Sequence, residues 1–303
     1  MKQDQASRTA KFVSNGIYWV SQQPALSIEV PETLSRYTAA MTMHINSQRF
    51  WGSARLRRAM LLKQCQVLQA GSVPGIYLHQ VLRKRCIESL VRSAVSGGIH
   101  QIVIIGSGFD TLSLRLSAEM PWLSIIELDH PATQIVKTAA IERFQLASGK
   151  CHFFAVDLSC QTLASALAGC PEYDPKISTL FIAEGLAMYL SEARVREMLQ
   201  CIAAQALGSK FIFTYMEELK PQNFSFQNER LATSLWLAFQ HERFTWGIKS
   251  SELPAFLAKS GFQLLEHKTH QDLRLEWLTE KNRQATLAIG ENIALVVHPN
   301  SGN

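Results

Sequence analysis

The chain has 303 residues, 47% hydrophobic and 18% charged, enough apolar matter for a sizeable core, which excludes general disorder. Thirty basic against 25 acidic residues leave a net charge of +5, too modest and scattered for the basic stripe of a nucleic-acid binder. No apolar run approaches the roughly 18 residues of a membrane helix. The opening MKQDQASRTAK has Lys2, Asp4, Arg8 and Lys11 with no apolar segment behind them, so the expectation is a cytoplasmic protein without a secretory leader.

Up to about residue 97 the pattern is helical, broken by turn signals at Pro24, Pro31 and Gly71-Ser72-Val73-Pro74-Gly75. Basic clusters at Arg55-Leu56-Arg57-Arg58 and Arg83-Lys84-Arg85 lie inside apolar-periodic stretches, and the first reads as a solvated helix face. Six cysteines (Cys65, Cys86, Cys151, Cys160, Cys170, Cys201) show neither CxxC nor Cys/His zinc spacing. They are expected to be reduced thiols, with no metal site.

Beyond residue 97 short β-branched runs alternate with helical stretches, the signature of a wound parallel sheet. Seven strands are predicted: 101–105, 124–128, 152–156, 179–183, 210–215, 262–265 and 292–297. The clearest helix starts at Ser191, a good N-cap, puts Val195, Met198, Leu199, Ile202 and Ala206 on one face, and stops at Gly208. Another is predicted over about 251–260. Two stretches, about 1–96 and 218–250, fall outside the alternation and hold Tyr18, Trp19, Trp51, Tyr77, Trp236 and Trp246. They are read as a lid over the ligand-binding edge of the sheet. The expected organisation is therefore a helical N-terminal cap (1–96) and an α/β domain (97–303) carrying a lid insertion at about 218–250.

Asp110, Asp129, Asp157 and Glu184 sit at or just past the carboxyl ends of the first four predicted strands. Ends of parallel strands share one sheet edge, so the four carboxylates are expected to face one crevice. The first strand runs into Gly106-Ser107-Gly108-Phe109-Asp110-Thr111, where two glycines allow a tight turn and a close backbone approach to a ligand. A full GxGxxG would have glycine at Thr111, and an ordinary strand-to-helix turn is the alternative. Asp129 follows Gly108 by 21 residues, a spacing that suits a carboxylate holding the ribose hydroxyls of an adenosine-containing cofactor; a helix N-cap before Pro131 is the other reading. Asp157, with Leu158 beside it, fits recognition of an adenine amino group, against a capped turn. Glu184 is the one acid in Phe181–Leu190, and a carboxylate there needs a cationic or donor partner, which a sulfonium cofactor with its own ammonium would supply.

Gly106–Leu116 (GSGFDTLSLRL), Glu127–Pro131 (ELDHP), Phe154–Leu158 (FAVDL) and Glu184–Leu190 (EGLAMYL) together resemble the leucine carboxyl methyltransferase family, which includes bacterial O-methyltransferases of polyketide pathways such as the tetracenomycin type. The resemblance runs from about Arg83 to Gly261. It implies a Rossmann-like, seven-stranded class I methyltransferase fold with S-adenosyl-L-methionine as cofactor. It further implies Gly106 and Gly108 along the methionine part, Asp129 on the ribose, Asp157 and Leu158 around the adenine, and Glu184 at the amino-acid end. Arg83 looks like the arginine that pairs with the cofactor carboxylate in the family. Arg115 matches the family's Arg-Leu, whereas Leu112 stands where many bacterial members have arginine.

Methyl transfer from a sulfonium is an in-line displacement that depends on holding donor and acceptor in near-attack geometry. A carboxylate acceptor is already ionised at pH 7, whereas a phenol benefits from a base. No histidine is fixed in the crevice by a motif, and His130 reads as a turn residue, so O-methylation with carboxylates ahead of phenols is the expectation. Tyr189, Tyr215 and Trp246 are candidate walls of the acceptor pocket. The expected acceptor is a small molecule, with a protein C-terminal carboxylate as the rival. Two other classes compete: a nicotinamide oxidoreductase, which leaves Asp157 and Glu184 unexplained, and a non-catalytic binding protein on the same fold.

Overall fold

Gln101–Ile105 forms β1, every residue of it buried, as suits an uninterrupted apolar strand covered on both faces. β1 pairs in parallel with β2 (Ser124–Asp129) on one side and β4 (Thr179–Ala183) on the other. β3 (Cys151–Ala155) continues the parallel sheet beyond β2, and β5 (Lys210–Glu217) beyond β4. A two-residue β6 (Gly247–Ile248) pairs with the end of β5. β7 (Gln263–Lys268) and β8 (Glu291–Val297) add antiparallel strands in the order β3-β2-β1-β4-β5-β8-β7. That path consists of the seven strands expected from the sequence, in the Rossmann-like arrangement the resemblance implies. Strand order reverses between β1 and β4, the place where open α/β sheets bind ligands.

The computed structural model describes residues 6–47, 53–146, 149–230 and 244–299. Helices α1 (Arg8–Ser21), α2 (Glu32–Ile45), α3 (Ala54–Gly71) and α4 (Ile76–Ser96) precede the sheet. α5 (Leu112–Glu119), α6 (Pro131–Phe144), α7 (Leu163–Ala168) and α8 (Glu192–Ala203) cross between its parallel strands. α9 (Leu253–Ala258) and α10 (His270–Trp277) flank β7.

The two-residue period of the strands splits the core into layers. Ile102, Ile104, Leu180 and Ile182 pack with Val81, Leu82, Ile87 and Val91 of α4, whereas Val103, Ile105, Phe181 and Phe213 pack with Val195, Leu199 and Leu257 on the other face. The N-terminal helices thus share a core with the sheet. Gly16 makes one close crossing possible, since a Cβ there would lie 2.1 Å from the Tyr77 ring.

The described aromatic residues that the sequence reading places in the lid are found in the core or against it instead. Tyr18, Tyr77 and Trp246 are buried in the core and Trp19 packs against it, because rings of this size gain more by filling the helix–sheet interface than by standing over a crevice. Trp51 and Trp236 lie outside the described residues. Arg55 and Arg58 are exposed, Arg58 Nη2 donating to Gln22, as a solvated face of α3 should be. Among the described residues no helix is long and apolar enough to cross a membrane.

Candidate functional site

The glycine loop turns directly off β1. Gly106 (φ 69°) and Gly108 (φ 55°) both occupy the left-handed region, which an L side chain rarely adopts. A Cβ at Gly106 would lie 3.3 Å from Leu186, and one at Gly108 3.0 Å from Ala10 of α1. The loop is therefore a backbone cradle with α1 over it. Asp110 closes it: its Oδ1 accepts the N–H groups of Thr111 (2.6 Å) and Leu112 (3.2 Å), satisfying the start of α5.

Asp129 ends β2. Its carboxylate accepts the N–H of Gly108 and, at 2.5 Å, that of His130. Burial raises its pKa despite those donors. The N-cap of α6 is His130, not Asp129: the His130 Nδ1 accepts from Ala132 N–H, and Pro131 takes the first turn. Freed from capping, Asp129 ties the glycine loop to β2.

Glu184 follows β4, on a turn that Gly185 (φ 64°) makes possible and the Gly185 N–H to Thr214 Oγ1 bond (2.8 Å) secures. Its Oε1 receives Arg83 Nε and Lys84 Nζ, each at 2.9 Å. Arg83 Nη1 also donates to both oxygens of Glu291 at 2.7 Å, Lys84 reaches Asp110 at 3.0 Å, and His79 Nε2 meets Glu291 at 3.2 Å. Arg83 and Lys84 are only 6% and 7% exposed. Burial opposes these charges, but mutual pairing outweighs it. Beside Lys84, Arg115 and Lys137, Asp110 is held down at about 2, and Arg83 and His79 hold Glu291 at about 2 as well. Arg83 is in turn raised, with Glu291 contributing more than Glu184.

Asp157 is more open. Its Oδ1 accepts the Ser159 N–H (2.9 Å) and hydroxyl (2.6 Å), which lower its pKa, and His130 Nε2 approaches to 3.7 Å. The structure thus gives Asp157 the capped-turn geometry, at the mouth of the same crevice.

One cavity of about 1080 Å³ runs along this edge. Arg83, Gly106, Gly108, Asp129, Asp157, Leu158, Glu184 and Tyr189 all line it. Tyr189 packs on Phe244 with ring centroids 5.4 Å apart. Tyr215 and Trp246 do not line it, which corrects their assignment as pocket walls. Tyr215 is fully buried, its hydroxyl bonded to His267 Nε2 (2.7 Å) and Ser250 Oγ (3.1 Å), and Trp246 packs on it. Tyr215 shares a sheet face with Phe211 and Phe213, and the polar cluster there satisfies its hydroxyl.

Among the wall residues that sequence reasoning missed are Lys84, Glu291, Gln80 and Ser72. The signal for Lys84 was its helical spacing from Ile76 and Gln80. Glu291 opens a strand that is otherwise nearly all apolar, an unusual place for an acid. Among the described residues no group of three or more histidines, cysteines or acids could hold a metal ion.

The chemistry of these walls fits S-adenosyl-L-methionine. Such a ligand needs a backbone approach free of Cβ atoms, a carboxylate at the second strand end and a charged pocket for its amino-acid end. The glycine cradle, Asp129 and the Arg83–Glu184 pair meet those needs.

Comparisons with known proteins agree. The family profile for leucine carboxyl methyltransferase matches residues 34–203. A Streptomyces avermitilis protein assigned as an S-adenosyl-L-methionine-dependent methyltransferase is 30% identical over 138 residues, 44% of this chain and 47% of that protein. A Streptomyces coelicolor protein of the same assignment is 34% identical over 140 residues, 44% of this chain and 47% of the relative. The chain spans about half the length of the curated relatives it matches. A DUF574-family protein from Streptomyces avermitilis aligns with a TM-score of 0.57 at 14% identity, over 98% of this chain and 99% of the other. A Thermobifida fusca protein assigned as a methyltransferase gives a TM-score of 0.57 at 15% identity, over 93% and 100%. At such identities the two structures speak for the fold alone.

Proposed function

Because this chain belongs to the leucine carboxyl methyltransferase family of S-adenosyl-L-methionine-dependent enzymes, we propose that it methylates an oxygen of a small, largely apolar metabolite, possible acceptors including those of the polyketide type. The observation that carries this is the single cavity shared by the glycine cradle, Asp129, Glu184 and an apolar extension lined by Phe12, Ile17, Met188, Phe226 and Phe244. Its volume of about 1080 Å³ lies just above the range of roughly 300–1,000 Å³ for small-molecule sites, enough for a cofactor and a second molecule together. When bound, the cofactor supplies an electrophilic methyl on sulfur: a C–O bond forms as the C–S bond breaks, its electron pair staying on sulfur. A hydroxyl acceptor also releases its proton, which a carboxylate does not.

The residues of the chain supply position. Gly106 and Gly108 admit the methionine part against bare backbone. Asp129, its pKa raised by burial, offers its carboxylate to the ribose hydroxyls. Asp157 and Leu158 frame the adenine at the mouth. Arg83 and Glu184, already paired at 2.9 Å, offer opposite charges to the cofactor's carboxylate and ammonium. Phe12 and Ile17 of α1, with Phe226 and Phe244 from the 218–250 stretch, roof the acceptor half and exclude water from the transfer. Residues 231–243 of that stretch lie outside the described residues. On this view 1–96 and 218–250 belong to the acceptor pocket and 97–303 to cofactor binding, with α4 serving both.

Calorimetric titration of S-adenosyl-L-methionine into the wild type and into Asp129→Ala and Glu184→Ala tests the proposal. Weakened binding in both variants is the expected outcome, together with O-methylated product by mass spectrometry. Wild-type protein free of carried-over ligand that fails to bind the cofactor would sink it, and an N- or C-methylated product would sink the oxygen assignment.

A further inference from the structure

Glu291 reaches the crevice by a different route from the acids at the parallel strand ends. β8 runs antiparallel to β5, with Glu291 opposite Met216, so the start of β8 shares the edge at which the parallel strands finish. Alternation along β8 turns Ile293 and Leu295 toward the layer of α4. Glu291 is in phase with them and meets Arg83 and His79 of that helix. Its side chain is 1% exposed. It lies well beyond residues 34–203, which the family profile matches, and beyond the stretch that carries the resemblance.

What Glu291 holds is one corner of a planar fork. Arg83 Nε donates to Glu184 Oε1 at 2.9 Å, and Nη1 donates to both oxygens of Glu291 at 2.7 Å. His79 Nε2 meets Glu291 Oε2 at 3.2 Å and so fixes the carboxylate in turn. With two of its three nitrogens pinned by residues of different strands, a rigid guanidinium has little freedom left in where the third points. That third nitrogen, Nη2, has no partner among the described residues and keeps accessible surface. It stands beside Gly185, where an added Cβ would lie 3.8 Å from it, and both residues line the cavity. A buried ion network is by itself weak evidence of stability, because desolvation offsets attraction. This one leaves a guanidinium donor open to the cavity, its position settled before any ligand arrives.

We propose that Glu291 is a positioning residue for cofactor binding: it holds Arg83 so that Nη2 meets the carboxylate of the cofactor's amino-acid end. This rests on the methyltransferase assignment above. Its physical content is preorganisation. An unheld arginine loses side-chain freedom when it grips a ligand, whereas Arg83 has lost that freedom already. Glu291 is also an anion beside the seat of an anion, so its charge alone repels the carboxylate it helps to place. The two effects have opposite signs, which lets an experiment separate them.

The test is calorimetry with S-adenosylhomocysteine, decarboxylated S-adenosylhomocysteine and methylthioadenosine. The second probe lacks only the carboxylate, and the third lacks the whole amino-acid end. Wild type is expected to prefer the first probe to the second by at least about tenfold. Glu291→Gln keeps the volume but loses the charge and one of the two oxygens that hold Nη1. It should cut that preference about tenfold, while methylthioadenosine stays within about twofold of its wild-type affinity. Loss of the anionic charge alone predicts the reverse, a preference that rises. Glu291→Asp keeps the charge but withdraws it by one methylene, so it should lose about threefold of the preference, and it decides the matter if Glu291→Gln does not fold. Absence of the preference in wild type, a preference kept or raised in Glu291→Gln, full retention in Glu291→Asp, or methylthioadenosine weakened as much as S-adenosylhomocysteine would overturn the proposal. Wild type that binds no S-adenosylhomocysteine would bring down the methyltransferase reading as well, whereas normal wild-type binding with an unchanged preference in the variants overturns the positioning role alone.

Discussion

Glu184 and Glu217 stand at the carboxyl ends of neighbouring parallel strands, β4 and β5, and their surroundings differ in kind. Glu184 receives two cations, Arg83 and Lys84, and forms part of a cavity wall. Glu217 receives neutral donors: the Ser250 N–H at 2.9 Å, the Asn292 amide at 2.8 Å and the Ser250 hydroxyl. β4 ends beside the reversal of strand order, where the sheet edge opens. β5 ends under β6, whose pairing with Met216 and Glu217 covers it. An acid at a strand end is therefore a site only where the topology leaves the edge open, and its partners show which case applies. Cations poised at a crevice can bind and orient a ligand, whereas neutral donors in a closed cluster brace a connection. The Tyr215 hydroxyl belongs to the closed cluster, and burial pushes its pKa up to about 12, so it stays protonated at neutral pH.

The strongest way to break this contrast is to remove a cation from the open network. Arg83→Ala leaves Glu291 buried with His79 alone beside it, and should cost about 3–5 kcal/mol in denaturant unfolding and abolish cofactor binding. A loss below about 1 kcal/mol would mean the network is not the buried system described here. Next in size, Glu184→Ala should weaken S-adenosyl-L-methionine by on the order of 30-fold, equivalent to about 2 kcal/mol. Its counterpart Glu217→Gln should cost about 1–3 kcal/mol of stability, since it turns an acceptor for the Ser250 and Asn292 donors into a mixed donor, while leaving cofactor affinity within about twofold. Equal loss of cofactor affinity in the two variants would erase the distinction between open and closed strand ends.

Acid sharpens the comparison further. Asp110 and Glu291 are held at about 2 in the folded chain, below the values of roughly 3.9 and 4.3 expected when unfolded. A carboxyl group with a depressed folded pKa contributes stability that is complete above the unfolded value and disappears as pH falls through the folded one. Stability from this network should thus decline between about pH 4.5 and pH 2. The decline should be shallower in Glu291→Gln, which unfolding midpoints across that range would reveal. The smallest effect is expected from Arg58→Ala on the exposed face of α3, within about 0.5 kcal/mol of wild type.

Much of the fold was legible because its signals are local. The run Gln101–Ile105 needs no partner to announce a doubly covered strand, and the glycines after it demand a tight turn wherever the chain goes. Strand ends then placed Asp129, Asp157 and Glu184 on one edge. Other residues were misread for a common reason. Lys84 went unassigned because its burial depends on Asp110 and Glu184, far along the chain. Tyr215 and Trp246 looked like pocket walls because strand ends face crevices in general, but which side a given residue takes depends on the register of β5 against β8 and on the cluster around Ser250.

Sequence alone determined the order of strands and helices, the glycine cradle and the acids after the strands, since periodicity, backbone freedom and spacing are properties of short segments. Tertiary structure decided which charges pair and which aromatic rings line the cavity. Those outcomes depend on distances between segments far apart in the chain, such as the 208 residues that separate Arg83 from Glu291. Such distances are set by packing the helices onto the sheet, and no local pattern encodes them.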